Sequence, residues 1–239
     1  MVSGATLHGD VPWPDVARLA SELSVAGVSM APTPEMWVAA MQGDFDAARA
    51  ISDDFIEGQR ERGLTLNVFT HCLARGYIEH VAGAAERAVE ALREGWDGLG
   101  ALGERGIRSR IGGVLGEMLA RLGRLDEAEA ILDDAIALST PDDWVTVEAV
   151  MMGRAFVASG RGDHDLACEL AREAMELVDS LEYVTLQQDA RMSRADILLA
   201  AGRRDEARTA LAWAREAAAR KGSTVLVERA DRLTAALDA

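Results

Sequence analysis

Apolar residues recur along this chain at three- and four-residue spacing, in stretches broken by short polar turns. Leu115 and Leu119 stand before one such turn, and Ala128, Leu132 and Ala135 stand after it. Ala195 and Leu198 are related in the same way to Ala207, Leu211 and Ala214. This spacing lines one face of an α-helix, so each stretch predicts an amphipathic helix. Five turns share a signature, a glycine followed five residues later by an alanine: Gly43/Ala48, Gly83/Ala88, Gly123/Ala128, Gly162/Ala167 and Gly202/Ala207. The glycines step by 40, 40, 39 and 40 residues. Helix pairs repeating at such a period bury their apolar faces only by stacking on one another, the signature of an α-solenoid. Twelve helices and no strand are expected.

With each glycine set as position 15 of its repeat, position 18 is always acidic: Asp46, Glu86, Asp126, Asp165 and Asp205. An acid in a first helical turn meets unpaired amides and the positive end of the helix dipole. The glycine before it suits the left-handed residue that closes a helix. Each unit therefore reads as helix stop, tight turn, helix start. The alanine at position 20 lets two antiparallel helices approach closely.

Leu115, Gly116, Leu119, Ala128, Leu132 and Ala135 resemble the tetratricopeptide pattern of Leu-Gly-x-x-aromatic, then Ala-x-x-x-large, then Ala. The leading Trp of that pattern is absent, and Ser52 and Ala171 fill a position that is usually large. The period also exceeds the usual ~34 residues, which calls for longer helices or longer loops between repeats. The resemblance implies an all-α, right-handed superhelix of about five helix pairs. Residues 29–222 would form the repeats, after an N-terminal segment and capping helix over 1–28. Pro14-Asp15 and Thr33-Pro34 both suit helix starts. Leu226, Ala230, Leu233 and Leu237 predict a capping helix over 223–239 that covers the last repeat.

From about Pro32 onward the chain also resembles the C-terminal tetratricopeptide-like region of large bacterial signalling proteins, which carry cyclase or LuxR-type output domains and AAA-type ATPases. Gly43-Asp44-Phe45-Asp46-Ala47-Ala48, Leu92-Arg93-Glu94-Gly95, Leu122 to Ala128 and Ala201 to Ala207 carry this likeness. It implies sensing or scaffolding in signalling or transcriptional regulation, and no catalytic residue.

A formal charge of −15 disfavours a nucleic-acid surface, which needs excess cations, and equally disfavours anionic membranes. It would favour a basic partner. Cys72 and Cys168 are too few for a disulfide framework and suit a reducing compartment. Met1 to Asp10 lacks a basic-then-apolar leader, and no apolar run approaches the ~18 residues of a membrane span. A cytoplasmic protein is expected.

No catalytic, metal or cofactor set emerges. Gly98 to Gly103 matches Gly-x-Gly-x-x-Gly, but that motif holds a dinucleotide only between a strand and a helix, and here it ends a helix. His164 and Cys168 share a helix face yet supply only two ligands. His71 and Cys72 are adjacent and point ~100° apart, too divergent for a nucleophile–base pair. Position 7 is arginine in three repeats, Arg75, Arg154 and Arg194. Each is read as a stem along the core ending in an ion pair, or else as a cation awaiting an anionic ligand.

By the tetratricopeptide resemblance, positions 2, 5, 9, 12 and 13 of each first helix face the concave groove. Position 9 is then Trp37, Tyr77, Glu117, Phe156 and Asp196, with Met41, Leu73, His80, Arg110, Arg121, Met152 and Met192 nearby. The aromatics are expected to anchor a protein or peptide partner, such as an amphipathic helix or a basic segment. The alternative use of the same residues is a small-molecule sensor that changes solenoid curvature on binding.

Overall fold

The computed structural model describes residues 9–25, 34–140, 142–181 and 183–238, which form twelve α-helices and no strand. They are α1 (Trp13–Val25), α2 (Pro34–Met41), α3 (Phe45–Glu61), α4 (Thr65–Val81), α5 (Ala85–Ala101) and α6 (Gly106–Arg121). Then follow α7 (Leu125–Leu138), α8 (Trp144–Gly160), α9 (His164–Asp179), α10 (Val184–Ala200), α11 (Arg204–Lys221) and α12 (Thr224–Asp238). Thr33, expected at a helix start, lies outside the described residues.

Five antiparallel pairs, α2/α3 to α10/α11, stack between α1 and α12. All five turn glycines have positive φ, from 73° to 86°, the left-handed conformation that an L side chain resists. A second series, Gly63, Gly103 and Gly222, closes helices between pairs in the same way. The long period is explained by the helices: α3, α4 and α5 each run 17 residues. The position-18 acids all fall in first helical turns. The capping bond itself is made two residues earlier where an aspartate is available: Asp44 accepts from the amide of Ala47, and Asp163 from that of Leu166.

The five repeat alanines are all fully buried. Around Ala128 the approach is especially close, because a Cβ on Gly116 of α6 would lie 2.5 Å from Leu132 and 3.3 Å from the Ala128 carbonyl. Ala128→Leu should overpack this contact at a cost of about 1–3 kcal/mol, read as a lower urea midpoint. An unchanged midpoint would contradict close approach at position 20.

The position-7 arginines pin first helices to second helices. Arg75 pairs with Glu94 at 3.2 Å, Arg154 with Asp133 at 2.7 Å, and Arg194 with Glu206 at 3.7 Å. Gly98 to Ala101 lie at the end of α5, with Gly103 in the following turn. No described helix is long and apolar enough to cross a membrane.

Candidate functional site

The spiral closes on itself. The capping helix α12 covers α11 as expected, but it also reaches the first pair. Ser223 and Thr224 donate to the Met41 carbonyl at 3.4 and 3.2 Å, and Gln42 donates to the Gly222 carbonyl at 2.5 Å. The only lysine, Lys221, ends α11, donates to the Gly9 carbonyl and lies 4.6 Å from the Trp13 ring centroid. One apolar cluster contains Trp13, Met36, Met41 and Ile78 from the first turn of the spiral, together with Ala218 and Leu226 from its end.

Tight curvature makes this closure possible. First helices of successive pairs nearly touch: a Cβ on Gly113 of α6 would lie 2.8 Å from that of Ala149 on α8. The concave surface is therefore drawn inward until its side chains meet across the axis. Tyr77 on α4 donates to Asp189 on α10 at 2.7 Å. Arg121 on α6 donates to Glu117 at 3.0 Å, and to Asp196 and Ser193 of α10, both at 2.8 Å. Ser193 donates in turn to Glu117 at 3.0 Å. Arg229 of α12 reaches Asp196 at 2.8 Å and stands 3.5 Å from His80 Nε2. The Arg121 guanidinium stacks 3.8 Å above the Phe156 ring, and Trp37 packs on Tyr77 with ring centroids 5.3 Å apart.

Removal from water sets the protonation of several of these groups. Burial above all, with help from Glu117, pushes Asp189 up to about 7, despite the opposing pull of the Tyr77 hydroxyl and of Arg229 and Arg121. Glu148 of α8 lies well above the carboxylate range, through burial first and then through Glu117 and Asp189. His80 is held neutral by burial and by Arg121 and Arg229. Its unprotonated nitrogen can then face Arg229.

Of the twelve groove residues expected from sequence, seven converge on this interior: Trp37, Tyr77, His80, Glu117, Arg121, Phe156 and Asp196. They contact one another and the interior residues Asp189, Ser193 and Arg229. Met41, Met152 and Met192 do not line a surface; all three are buried in the helix-pair cores, because close packing of the first helices engulfs long side chains at their edges. Leu73 packs against the central core. Arg110, at the start of α6, turns to Asp143 at 3.7 Å. Glu148, Asp189, Ser193 and Arg229 were missed. Asp189 occupies position 2, a concave slot in the repeat frame, so a signal for it existed. Arg229 lies in the cap, beyond the last glycine that sets that frame.

Among the described residues, no group of three His, Cys, Asp or Glu side chains could hold a metal ion. His71, expected to have no catalytic role, is buried and paired with Ser52 at 2.9 Å. Ser52, small where the pattern is usually large, leaves room for that bond.

The tetratricopeptide-repeat family model matches residues 35–53, 110–134, 149–173 and 188–216. No curated protein matches the chain. Among solved structures, BtubC (BKLC) from P. vanneervenii aligns with a TM-score of 0.51 at 16% identity, over 95% of this chain and 89% of its own. A Podosopora anserina kinesin light chain protein with nearly identical TPR-like repeats aligns with a TM-score of 0.48 at 15% identity, over 84% and 95%. The fold is a tetratricopeptide-like solenoid, and the family model marks tetratricopeptide repeats in these four stretches of the chain.

Proposed function

We propose that the chain is a non-catalytic scaffold that binds a protein partner in the cytoplasm, in bacterial signalling or transcriptional regulation. The observation that carries this reading is a row of exposed apolar side chains at the repeat period. Seven large apolar residues are exposed among those described, and six lie where one pair passes to the next: Leu64, Leu66, Leu102, Ile107, Trp144 and Tyr183. The opposite edge has Leu166. Contiguous exposed apolar patches mark interaction sites, and a row of such side chains at successive pair junctions is a candidate for one. The concave groove, closed by its own side chains, is the poorer dock for an intact helix. The acidic chain favours a partner segment with basic residues flanking its apolar face.

Capture from a bacterial lysate tests this reading. Trp144→Ala combined with Leu102→Ala should weaken partner retention about 30-fold or more, the loss of one aromatic anchor being worth about 2 kcal/mol. Tyr77→Phe should leave it unchanged. The reverse result would return the partner to the groove.

A second reading, a small-molecule sensor, is favoured by the buried polar interior. There Tyr77, Glu117, Arg121 and Asp196 would meet a ligand and link its occupancy to curvature.

A further inference from the structure

The second helices of the pairs hold most of the negative charge. α3, α5, α7 and α9 carry nineteen acids against five arginines. The first helices α4, α6, α8 and α10 carry five acids and seven arginines. The surplus is ordered by the repeat. Position 26 is Asp54, Glu94, Asp134 and Glu173 in the first four repeats, and position 29 is Glu57, Asp97 and Glu176 in the first, second and fourth. Residues three apart share a helix face, so an acidic stripe crosses these helices within about two turns of their ends. Those ends lead into the junctions where Leu64, Leu102, Ile107 and Trp144 are exposed.

Much of the stripe has no cation from the chain itself. Glu94, Glu173 and Glu176 are shared with arginines. Asp54, Glu57, Asp97 and Asp134 are exposed and have no ion pair among the described residues. Of the arginines beside these junctions, Arg105 donates to the Ala137 carbonyl, Arg108 lies over the Trp96 ring, and Arg110 turns to Asp143. The described residues offer no strand to extend, and helix backbones are internally bonded, so a partner at this edge is recognised through side chains. A second copy of the chain would bring the same acids to the contact, and an anionic membrane would be repelled. A helix is about 10 Å across, so one seated on the junctions can turn its apolar face to them and a flank to the stripe.

We propose that this edge docks an amphipathic helix with a basic flank, its apolar face on Leu102, Ile107 and Trp144 and its cations against Asp97, Asp134 and the acids beside them. This rests on the scaffold reading and names the partner's chemistry. The two fail separately: partner capture that depends on Trp144 and Leu102 sustains the scaffold whatever charge the partner carries.

The test is fluorescence anisotropy on the intact chain at about 0.15 M salt, where exposed charges more than ~8 Å apart are screened. The probe is a fluorescein-labelled 14-residue peptide of leucine and lysine, with the leucines at helical spacing. One control replaces every lysine by glutamate, and another replaces every leucine by glutamine. Saturable binding is expected for the leucine–lysine peptide, with both controls at least tenfold weaker. Trp144→Ala with Leu102→Ala should weaken it at least tenfold. So should Asp54→Asn, Glu57→Gln, Asp97→Asn and Asp134→Asn combined. Removing four acids at the opposite edge, by Asp46→Asn, Asp126→Asn, Asp165→Asn and Asp205→Asn, should change it less than about twofold. Absence of saturable binding would overturn the proposal, as would equal binding of either control peptide. Equal losses from the two sets of acids would also overturn it, marking condensation on a generally acidic surface. So would a dimer, seen by sedimentation, that Trp144→Ala dissociates, since the edge would then belong to a second copy. If a variant fails to fold by circular dichroism, the three peptides on the wild type still decide.

Discussion

Arg121→Ala is expected to lower the unfolding free energy by about 3–5 kcal/mol, the usual penalty for removing one partner from a buried ion pair. Arg121 is only 15% exposed and is shared by Glu117, Asp196, Ser193 and the face of Phe156. Truncation leaves two buried carboxylates near each other, with Arg229 alone to compensate Asp196. It also removes the stacking of a guanidinium on an aromatic ring. Arg121→Lys should recover little, because an ammonium reproduces neither the planar fork nor the stack. Urea unfolding followed by far-ultraviolet circular dichroism measures both. A loss below about 1 kcal/mol for Arg121→Ala would mean that closure of the spiral does not depend on this junction.

Asp189→Asn should remove a pH dependence of stability. The carboxyl titrates near 3.8 in the unfolded chain and at about 7 in the fold. Between these values the folded state binds the extra proton, so stability falls as pH rises from 4 through 7. The protonated group contributes its full stabilisation below the unfolded value and loses it above the folded one. A shift of this size corresponds to a few kcal/mol at most. His71, held at about 4 by burial and by Arg75, acts oppositely, since stability drains away as pH falls from 6.5 towards 4. His80 has the same sign. The wild-type profile therefore mixes both slopes, and the difference between wild type and Asp189→Asn isolates the carboxyl. That difference should grow from pH 4 to pH 7 and then level off. A flat difference would show that Asp189 is solvated in the folded state.

The repeat frame located much of the candidate site. Position 9 pointed to Trp37, Tyr77, Glu117, Phe156 and Asp196, and the structure brings all five into one interior. Their chemistry was not legible in the same way. Tyr77 and Phe156, expected as apolar anchors, act instead through a hydroxyl bond to Asp189 and a face offered to Arg121. The partner in the first case is 112 residues away, a separation at which no periodic pattern assigns a contact. The frame also placed Met152 and Met192 on a free surface, whereas both lie in the core between closely packed helices.

What the sequence by itself determined is local. Glycines at left-handed positions, acids in first turns and alanines at position 20 specify helix ends and pair contacts within about twenty residues of each other, where backbone sterics and small side chains leave few alternatives. Curvature was decided only by the tertiary structure. It accumulates from small rotations between successive pairs, set by close approaches such as Gly113 against Ala149, and no single repeat encodes the sum. Because that sum brings α11 and α12 back to α1 and α2, an expected open groove becomes a closed interior, and residues that would have been solvated become a buried network of charges.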